Sequence, residues 1–254
     1  MLKQDFHPPQ LAPLLDSIGF EGCVSVQARQ NLEETRWLLE LADQSEFIRG
    51  VVGWVDLRSP EIVDQLKEFA VHPKLVGVRH VVHDEPEDDF VLGEAFRNGI
   101  AQIKAYELTY DLLLFPRHIP YAVQLVEEFP EQTFILDHIA KPDIAKQQFS
   151  PWREDMEKLA SFPNVACKLS GMVTEAEWQN WKPEDFHPYI DIILDLFGPS
   201  RTMIGSDWPV CTLSGDYASV MNIVIDVVST LSPEVRDAVL GQTCATWYNL
   251  PTPK

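Results

Sequence analysis

Ionisable side chains follow two short apolar runs at the point where each run ends. In the segment Thr133–Pro142, Asp137 and His138 come directly after a hydrophobic triplet, and in Thr202–Val210 the carboxylate is Asp207. Charged residues at the carboxyl end of a buried parallel strand usually face a functional site. An imidazole and a carboxylate brought together there could bind a metal, or polarise a carbonyl and activate a water molecule. The alternative is that each is a satisfied polar residue in a strand-to-helix loop.

Seven short runs of apolar or β-branched residues predict strands. They are Gly22–Gln27, Ile48–Val55, Leu75–Val81, Glu107–Leu114, Thr133–Asp137, Val165–Leu169 and Thr202–Gly205. Amphipathic helical segments separate them, and this alternation is typical of parallel strands joined by right-handed crossovers. The length of 254 residues is also close to that of an eight-stranded barrel, about 250 residues. We therefore predict an α/β protein, specifically a (β/α)8 TIM barrel.

Some of the helical segments carry start signals. Asn31 followed by Glu34 predicts a capping box that opens a helix, and Trp37 is expected to be buried on its inner face. Ser59 and Pro60 predict the N-cap and the first residue of the next helix. We expect the apolar stripes of these helices to form core and to carry no chemistry.

One strand is unaccounted for, because seven runs are found and a closed barrel of this type has eight. The missing strand would lie before Met1, so we expect residues 1–254 to be a single barrel domain that is truncated at its N-terminus. The runs at Gly22–Gln27 and Thr202–Gly205 would then each present an unpaired edge. We expect such a chain to be less soluble, less stable and essentially inactive relative to one extended upstream.

The composition argues against several classes of partner. A net charge of −19 disfavours nucleic acid and anionic membrane surfaces, which attract basic proteins. No run approaches the roughly 18 to 20 uninterrupted apolar residues of a membrane span, and the N-terminus lacks the apolar segment of a secretory signal. The four cysteines lie far apart and show no metal-binding spacing. We expect a cytoplasmic protein with reduced thiols, and leave open whether it is a homo-oligomer.

Other strand ends supply further candidate residues. Arg79 and His80 end one run, while Lys141 and Trp208 lie in the loops that follow two others. The planar fork of Arg79 suits a carboxylate, which it binds with two parallel hydrogen bonds; alternatively it forms a salt bridge that holds a loop. Lys168, inside a strand, is expected to be a snorkelling or ion-paired side chain rather than a catalyst. The chain has neither the G-x-S-x-G elbow of serine hydrolases nor a glycine-rich nucleotide-binding motif.

Four segments, in order along the chain, resemble motifs of the amidohydrolase-related family. They are G-V-V-G-W-V-D-L at Gly50–Leu57, G-V-R-H at Gly77–His80, L-D-H-I-A-K-P at Leu136–Pro142 and G-S-D-W-P at Gly205–Pro209. The similarity runs from about Leu2 to the closing helix. Within the family the match is to the branch that holds sugar lactonases and the pyrone-dicarboxylate lactonase.

The resemblance implies a (β/α)8 barrel whose site hydrolyses a cyclic ester. It implies that Asp207 is the general base that activates water, and that His138 orients or polarises the lactone carbonyl. The substrate-binding residues would be Arg79, His80, Lys141 and Trp208.

The metal content of the site is left open by the resemblance, because members of the family differ. A divalent metal such as zinc would be held by His138 and Asp207, and activity without a metal is equally expected. The family begins with a strand that ends in His-x-His, and this sequence has no two histidines at that spacing. Since zinc usually has three or four protein ligands, His138 and Asp207 alone make a poor zinc site.

We therefore expect a hydrolase that uses an activated water to open a small-molecule substrate, a sugar-acid or dicarboxylate lactone. Two alternatives belong to other classes. One is a catalytically inactive barrel that binds an acidic small molecule. The other is a decarboxylase of the same family, which would need a complete metal site.

Overall fold

Seven parallel strands form one curled sheet in the computed structural model, which describes residues 2–250. The strands are β1 (Cys23–Val26), β2 (Ile48–Gly53), β3 (Leu75–His80), β4 (Thr109–Leu112), β5 (Phe134–Leu136), β6 (Val165–Leu169) and β7 (Thr202–Ile204). Each strand pairs with the next one along the chain. All seven predicted runs are confirmed as strands, within three residues at each end.

Helices precede the sheet, connect its strands and follow its last strand. They are α1 (Pro8–Ser17), α2 (Leu32–Asp43), α3 (Ile62–Ala70), α4 (Glu94–Ile103), α5 (Ile119–Glu128), α6 (Trp152–Ala160), α7 (His187–Phe197), α8 (Tyr217–Ser229), α9 (Pro233–Asp237) and α10 (Thr243–Trp247). Parallel neighbours need crossover connections of this kind. The alternation of strands and helices predicted from the sequence is therefore present.

Two apolar cores lie on the two faces of the sheet. The outer core packs the sheet against the helices and buries large side chains of both layers, among them Leu66, Phe96, Tyr110, Leu125 and Ile193. The inner core is smaller and lies inside the curl of the sheet. It consists of Val52, Val76, Ile135, Ala166 and Met203 from the strands, together with Tyr248 from the C-terminal segment.

The sheet is a barrel that lacks one strand. Within residues 2–250, β1 and β7 do not pair with each other, so each of them presents an open edge. A cavity of about 1240 Å³ lies between these edges and is lined by both of them. The architecture agrees with the predicted barrel with its first strand missing, and the truncation itself stays a prediction.

The two predicted helix starts differ from the structure in detail. The side chain of Asn31 accepts a hydrogen bond from the backbone N–H of Glu34 at 2.8 Å, as predicted. The Glu34 carboxylate, however, accepts from the backbone N–H groups of Ala28 and Arg29 and does not complete the box. Trp37 is 40% exposed, so the prediction that it is buried was wrong.

The second helix start lies later than predicted. The Ser59 hydroxyl accepts a hydrogen bond from the backbone N–H of Glu61, only two residues on. This bond closes a turn instead of capping a helix, and α3 begins at Ile62. A serine followed by proline is compatible with both outcomes, since both residues also favour turns.

Candidate active site

The turn after β5 contains four consecutive residues with a left-handed backbone. His138, Ile139, Ala140 and Lys141 have φ values between 48° and 57°. This region costs roughly 1–2 kcal/mol per non-glycine residue, because Cβ approaches a carbonyl oxygen. A hydrogen bond of 2.8 Å from Nε1 of Trp152 to the carbonyl oxygen of Ile139 helps to hold the turn. Strain of this kind concentrates at functional sites, which supports a functional role for this strand end.

The imidazole of His138 is oriented by the two residues that follow β6. The Ser170 hydroxyl oxygen lies 2.7 Å from Nδ1 of the ring. Gly171 has φ +62°, and a Cβ at this position would lie only 2.6 Å from Cγ of His138. The ring therefore packs directly against the backbone of Gly171, where a side chain would displace it.

Asp207 reaches the same place from the end of β7. Its Oδ1 atom lies 3.5 Å from Nε2 of His138, and the side chains of the two residues are 16% and 10% exposed. Asp207 also has a left-handed backbone, with φ 53°. Burial lowers the pKa of His138, although the carboxylates of Asp207 and Asp137 act against this shift. The structure thus brings together the two residues predicted to be catalytic, and the lowered pKa of His138 favours its neutral form.

A row of alternating charges crosses the interior of the sheet beside this pair. Nη1 of Arg79 lies 2.7 Å from Oδ2 of Asp137. Nζ of Lys168 lies 2.6 Å from Oδ1 of Asp137 and 2.6 Å from Oδ2 of Asp111. We call these four residues the charged row. They are Arg79 on β3, Asp111 on β4, Asp137 directly after β5, and Lys168 on β6, so the order of the strands brings them into contact.

Both ends of the charged row are held by neutral groups. Nε of Arg79 donates a hydrogen bond of 2.9 Å to the side-chain oxygen of Gln27, and a second guanidinium N–H donates to the Gln27 carbonyl oxygen. At the other end, the Tyr248 hydroxyl donates to Oδ2 of Asp111 at 2.5 Å. The Tyr248 ring also lies 5.3 Å from Nζ of Lys168. The row therefore connects the end of β1 with the C-terminal segment.

The charges of the row stabilise one another. Burial alone would lower the pKa of Lys168, but the two carboxylates reverse this and the pKa rises. Burial alone would raise the pKa of Asp137, yet Lys168 and Arg79 outweigh it and hold the pKa well below its ordinary value. Burial raises the pKa of Asp111 despite its bonds to Lys168 and Tyr248. The prediction that Lys168 is ion-paired is confirmed.

Two of the predicted substrate-binding residues do not reach the cavity. His80 follows Arg79 on β3 and points to the opposite face, because side chains alternate along a strand. There its Nε2 lies 2.6 Å from Glu85, and its ring stacks on Phe90 with centroids 4.9 Å apart. Lys141 forms an ion pair of 2.8 Å with Glu175, outside the cavity wall. Both side chains have structural partners, and their assignment to substrate binding stays a prediction.

The other predicted residues line the cavity. Polar and aromatic residues that line it include Arg79, Asp137, His138, Lys168, Ser170, Asp207 and Trp208. The Trp208 ring meets the ring of Phe6 edge-on, with centroids 5.3 Å apart. The volume of about 1240 Å³ exceeds the range of about 300–1,000 Å³ usual for ligand pockets, because the cavity continues into the gap between β1 and β7.

Three side chains of this region were not assigned to the site from the sequence. Ser170 directly follows β6, so the strand-end argument already pointed to it. Gln27 directly follows β1 and had the same signal. Tyr248 had none, because it lies 137 positions from Asp111 along the chain and only the folded structure brings the two together.

Comparison with known proteins identifies the family. The family model described as Amidohydrolase matches residues 1–250. The chain belongs to the amidohydrolase family. It is 38% identical over 264 residues to an L-fucono-1,5-lactonase of Burkholderia multivorans, covering 100% of this chain and 89% of that relative. The resemblance seen in the four motifs is thereby confirmed.

Solved structures of similar proteins agree with the observed architecture. A crystal structure of an amidohydrolase from Burkholderia multivorans with bound zinc has a TM-score of 0.93 and 38% identity, covering 98% of this chain and 90% of that one. A 2,6-dihydroxybenzoate decarboxylase from Rhizobium has a TM-score of 0.66 and 12% identity, covering 96% and 88%. The second likeness shows the fold alone.

The residues present here do not make a zinc site. His138 and Asp207 are the two predicted ligands, with Nε2 and Oδ1 separated by 3.5 Å. Within residues 2–250, no group of three or more histidine, cysteine, aspartate or glutamate side chains is arranged to hold a metal ion. Because zinc in proteins has at least three protein ligands, this donor set does not fit zinc.

Proposed function

We propose that this protein hydrolyses a sugar-acid lactone that carries no charge. The observation that carries the proposal is the His138–Asp207 pair, which lies on a cavity wall at two strained strand ends. The amidohydrolase family and the 38% identity to an L-fucono-1,5-lactonase support hydrolysis of a cyclic ester.

The charge of the cavity favours a neutral lactone over a dicarboxylate lactone. Two cations that line the cavity beside the pair, Arg79 and Lys168, are already paired with the carboxylates of Asp137 and Asp111. With Asp207, three carboxylates face two cations. A substrate carboxylate would therefore meet a net negative site, whereas the hydroxyl groups of a sugar acid can hydrogen-bond to paired charges without adding charge. Like charges brought together in a partly buried site are unfavourable.

The reaction assigns one role to each member of the pair. The lactone carbonyl oxygen lies at His138, which polarises it by hydrogen bonding. Asp207 takes a proton from a water molecule, whose oxygen attacks the carbonyl carbon. When the tetrahedral intermediate collapses, the ring C–O bond breaks and the leaving oxygen takes the proton back from Asp207. The product is the open hydroxy acid, and the carboxylate is restored.

Arg79 contributes to substrate binding in this proposal. A guanidinium has five N–H donors, and three of them are used by Asp137 and Gln27. The two that remain are available to a hydroxyl group of the lactone. Trp208 offers an apolar surface on the same wall.

A panel of lactones tests the proposal. Neutral 1,4- and 1,5-lactones of sugar acids and an anionic dicarboxylate lactone are compared, with proton release followed by a pH indicator and the Asp207→Asn variant as the blank. We expect kcat/KM to be at least about 100-fold higher for the best neutral lactone, which corresponds to roughly 2.7 kcal/mol. Equal or preferred turnover of the dicarboxylate lactone contradicts the substrate assignment.

The two alternatives named from the sequence make different predictions. A decarboxylase would release carbon dioxide from an aromatic acid, and the only support here is a likeness at 12% identity that shows the fold alone. An inactive barrel would bind the acidic small molecule without turnover. The strained His138–Asp207 pair favours the hydrolase over both.

We also propose a cytoplasmic location and self-association through the open edges. Within residues 2–250, no helix is long and apolar enough to cross a membrane. The unpaired edges of β1 and β7 are templates for pairing with another strand. Size-exclusion chromatography with light scattering tests this, and a monomer at all concentrations contradicts it.

A further inference from the structure

The imidazole of His138 can exist as two neutral tautomers, and the choice decides what it does to a substrate. With the proton on Nε2 it donates a hydrogen bond towards Asp207 and the cavity, and with the proton on Nδ1 it accepts one there. Three observations bear on this choice. They concern the partner of Nδ1, the partner of Nε2 and the space around the ring.

The first observation is the hydrogen bond between Ser170 and Nδ1. The two atoms are 2.7 Å apart, and both residues are buried, with 4% and 8% of their surfaces exposed. Within residues 2–250, the Ser170 hydroxyl makes no other hydrogen bond. If Nδ1 carried the proton and donated it, no acceptor among the described residues would remain for the hydroxyl hydrogen at this largely buried position on the cavity wall, which is less favourable. If the serine donates, both groups are satisfied.

The second observation is the carboxylate on the other side of the ring. Oδ1 of Asp207 lies 3.5 Å from Nε2. A proton on Nε2 points towards this negative charge, whereas a lone pair on Nε2 would face it. The surroundings of both ring nitrogens therefore favour the same tautomer.

The third observation is that the ring cannot readily exchange the two nitrogens by rotating. The backbone of Gly171 lies against it so closely that a Cβ there would be 2.7 Å from Nδ1. The left-handed backbone of His138, with φ 55°, sets the direction from which the side chain leaves the turn. The ring is therefore held between two strand ends.

We infer that Ser170 is a positioning residue that fixes the proton of His138 on Nε2, so that His138 meets the lactone carbonyl as a hydrogen-bond donor. The catalytic consequence rests on the proposed function, whereas the tautomer does not. With Nε2 as the donor, His138 stabilises the negative charge that develops on the carbonyl oxygen. Proton removal from water is then left to Asp207, so the two members of the pair have distinct tasks.

Nuclear magnetic resonance of the protein labelled with 15N at histidine tests the tautomer without any substrate. Two-bond proton–nitrogen correlations distinguish a protonated from an unprotonated ring nitrogen, and His138→Gln identifies the signals of His138. We expect an unprotonated Nδ1 and a protonated Nε2 in the wild type. In Ser170→Ala we expect a mixture of both tautomers. A protonated Nδ1 in the wild type, or an unchanged tautomer in Ser170→Ala, overturns the inference.

Kinetics on a sugar-acid lactone test the catalytic consequence. Ser170→Ala should lower kcat about 10- to 100-fold, the scale seen when a group that orients an essential histidine is removed, with little change in KM. Ser170→Thr keeps the hydroxyl and should restore most of the rate. Ser214→Ala is the control, because its hydroxyl lies 2.9 Å from the backbone carbonyl oxygens of Val173 and Trp178, to one of which it donates, and touches no part of the pair. An unchanged kcat in Ser170→Ala contradicts the positioning role.

Two further outcomes distinguish a failure of the inference about Ser170 from a failure of the proposed function. A covalent ester on Ser170, detected by mass spectrometry after rapid acid quench, would make the serine a nucleophile and overturn the inference. If no lactone is hydrolysed but the resonance data show the Nε2 proton in the wild type and the mixture in Ser170→Ala, the proposed function fails and the tautomer assignment stands.

Discussion

The charged row, of which Arg79, Asp137 and Lys168 line the cavity, lies beside the His138–Asp207 pair, but the groups of the two regions are satisfied to different degrees. Every carboxylate of the row has a cation within 2.7 Å. The pair instead has a separation of 3.5 Å and a left-handed backbone at both residues. Groups that already have close partners hold the strands together, whereas the groups that are less well satisfied remain available to a substrate. Proximity to the cavity alone therefore does not identify a catalytic residue.

The largest expected effect comes from removing the base of the pair. Asp207→Asn keeps the shape, and asparagine tolerates the left-handed backbone at this position. We expect kcat on the best lactone to fall by at least about 100-fold, the usual scale for a positioned acid or base, while the unfolding temperature stays nearly constant. Asp226→Asn on the exposed face of α8 is the control. A near wild-type kcat in Asp207→Asn would remove the assignment of the base.

Breaking the charged row should act on stability. Lys168→Met removes the cation and leaves the carboxylates of Asp111 and Asp137 buried without it. We expect the free energy of unfolding to fall by about 3–5 kcal/mol, as for other broken buried ion pairs, measured by urea titration. Lys158→Met removes a lysine whose side chain is 63% exposed from its ion pair with Asp155 and should change stability little. Equal effects of the two variants would show that the row does not stabilise the fold.

Gly171→Ala tests the contact that orients the imidazole. The added methyl group would lie 2.6 Å from Cγ of His138, in a backbone with φ +62°. We expect a loss of about 1–3 kcal/mol in stability and a lower kcat, because the ring must move. Gly198→Ala is the matched control, since Gly198 also has a left-handed φ, +68°, but no neighbouring group lies within 4 Å of the added methyl and the residue does not line the cavity. An active and fully stable Gly171→Ala protein would contradict the proposed orientation of the ring.

The smallest effect is expected at Arg79, which belongs to the charged row and also has N–H donors left for a substrate. Arg79→Lys keeps the charge opposite Asp137 but loses the geometry that reaches Gln27 and the two remaining N–H donors. We expect KM for the lactone to rise more than kcat falls, with a modest decrease in the unfolding temperature. If stability drops while KM is unchanged, Arg79 belongs to the structural row only.

Local patterns in the sequence were sufficient for the elements and for the strand ends. Apolar runs of four to eight residues bounded by turn residues predict strands, and all seven were found. Because the strands are parallel, their carboxyl ends meet at one edge of the sheet, which is why His138 and Asp207 could be placed together in advance. The helix starts were less predictable, since Ser59 closes a turn instead of capping α3.

The assignment of individual side chains needed the tertiary structure. Arg79 and His80 are adjacent at one strand end, but only the packed sheet shows that the first faces the cavity and the second binds Glu85. The bond from Tyr248 to Asp111 joins residues 137 positions apart, and no local pattern encodes such a contact. The sequence by itself determined which residue types stand at the strand ends, because periodicity and turn chemistry are local. Which of those groups are paired, and which are left for a substrate, was decided by the folded chain, because pairing depends on neighbours that are distant in sequence.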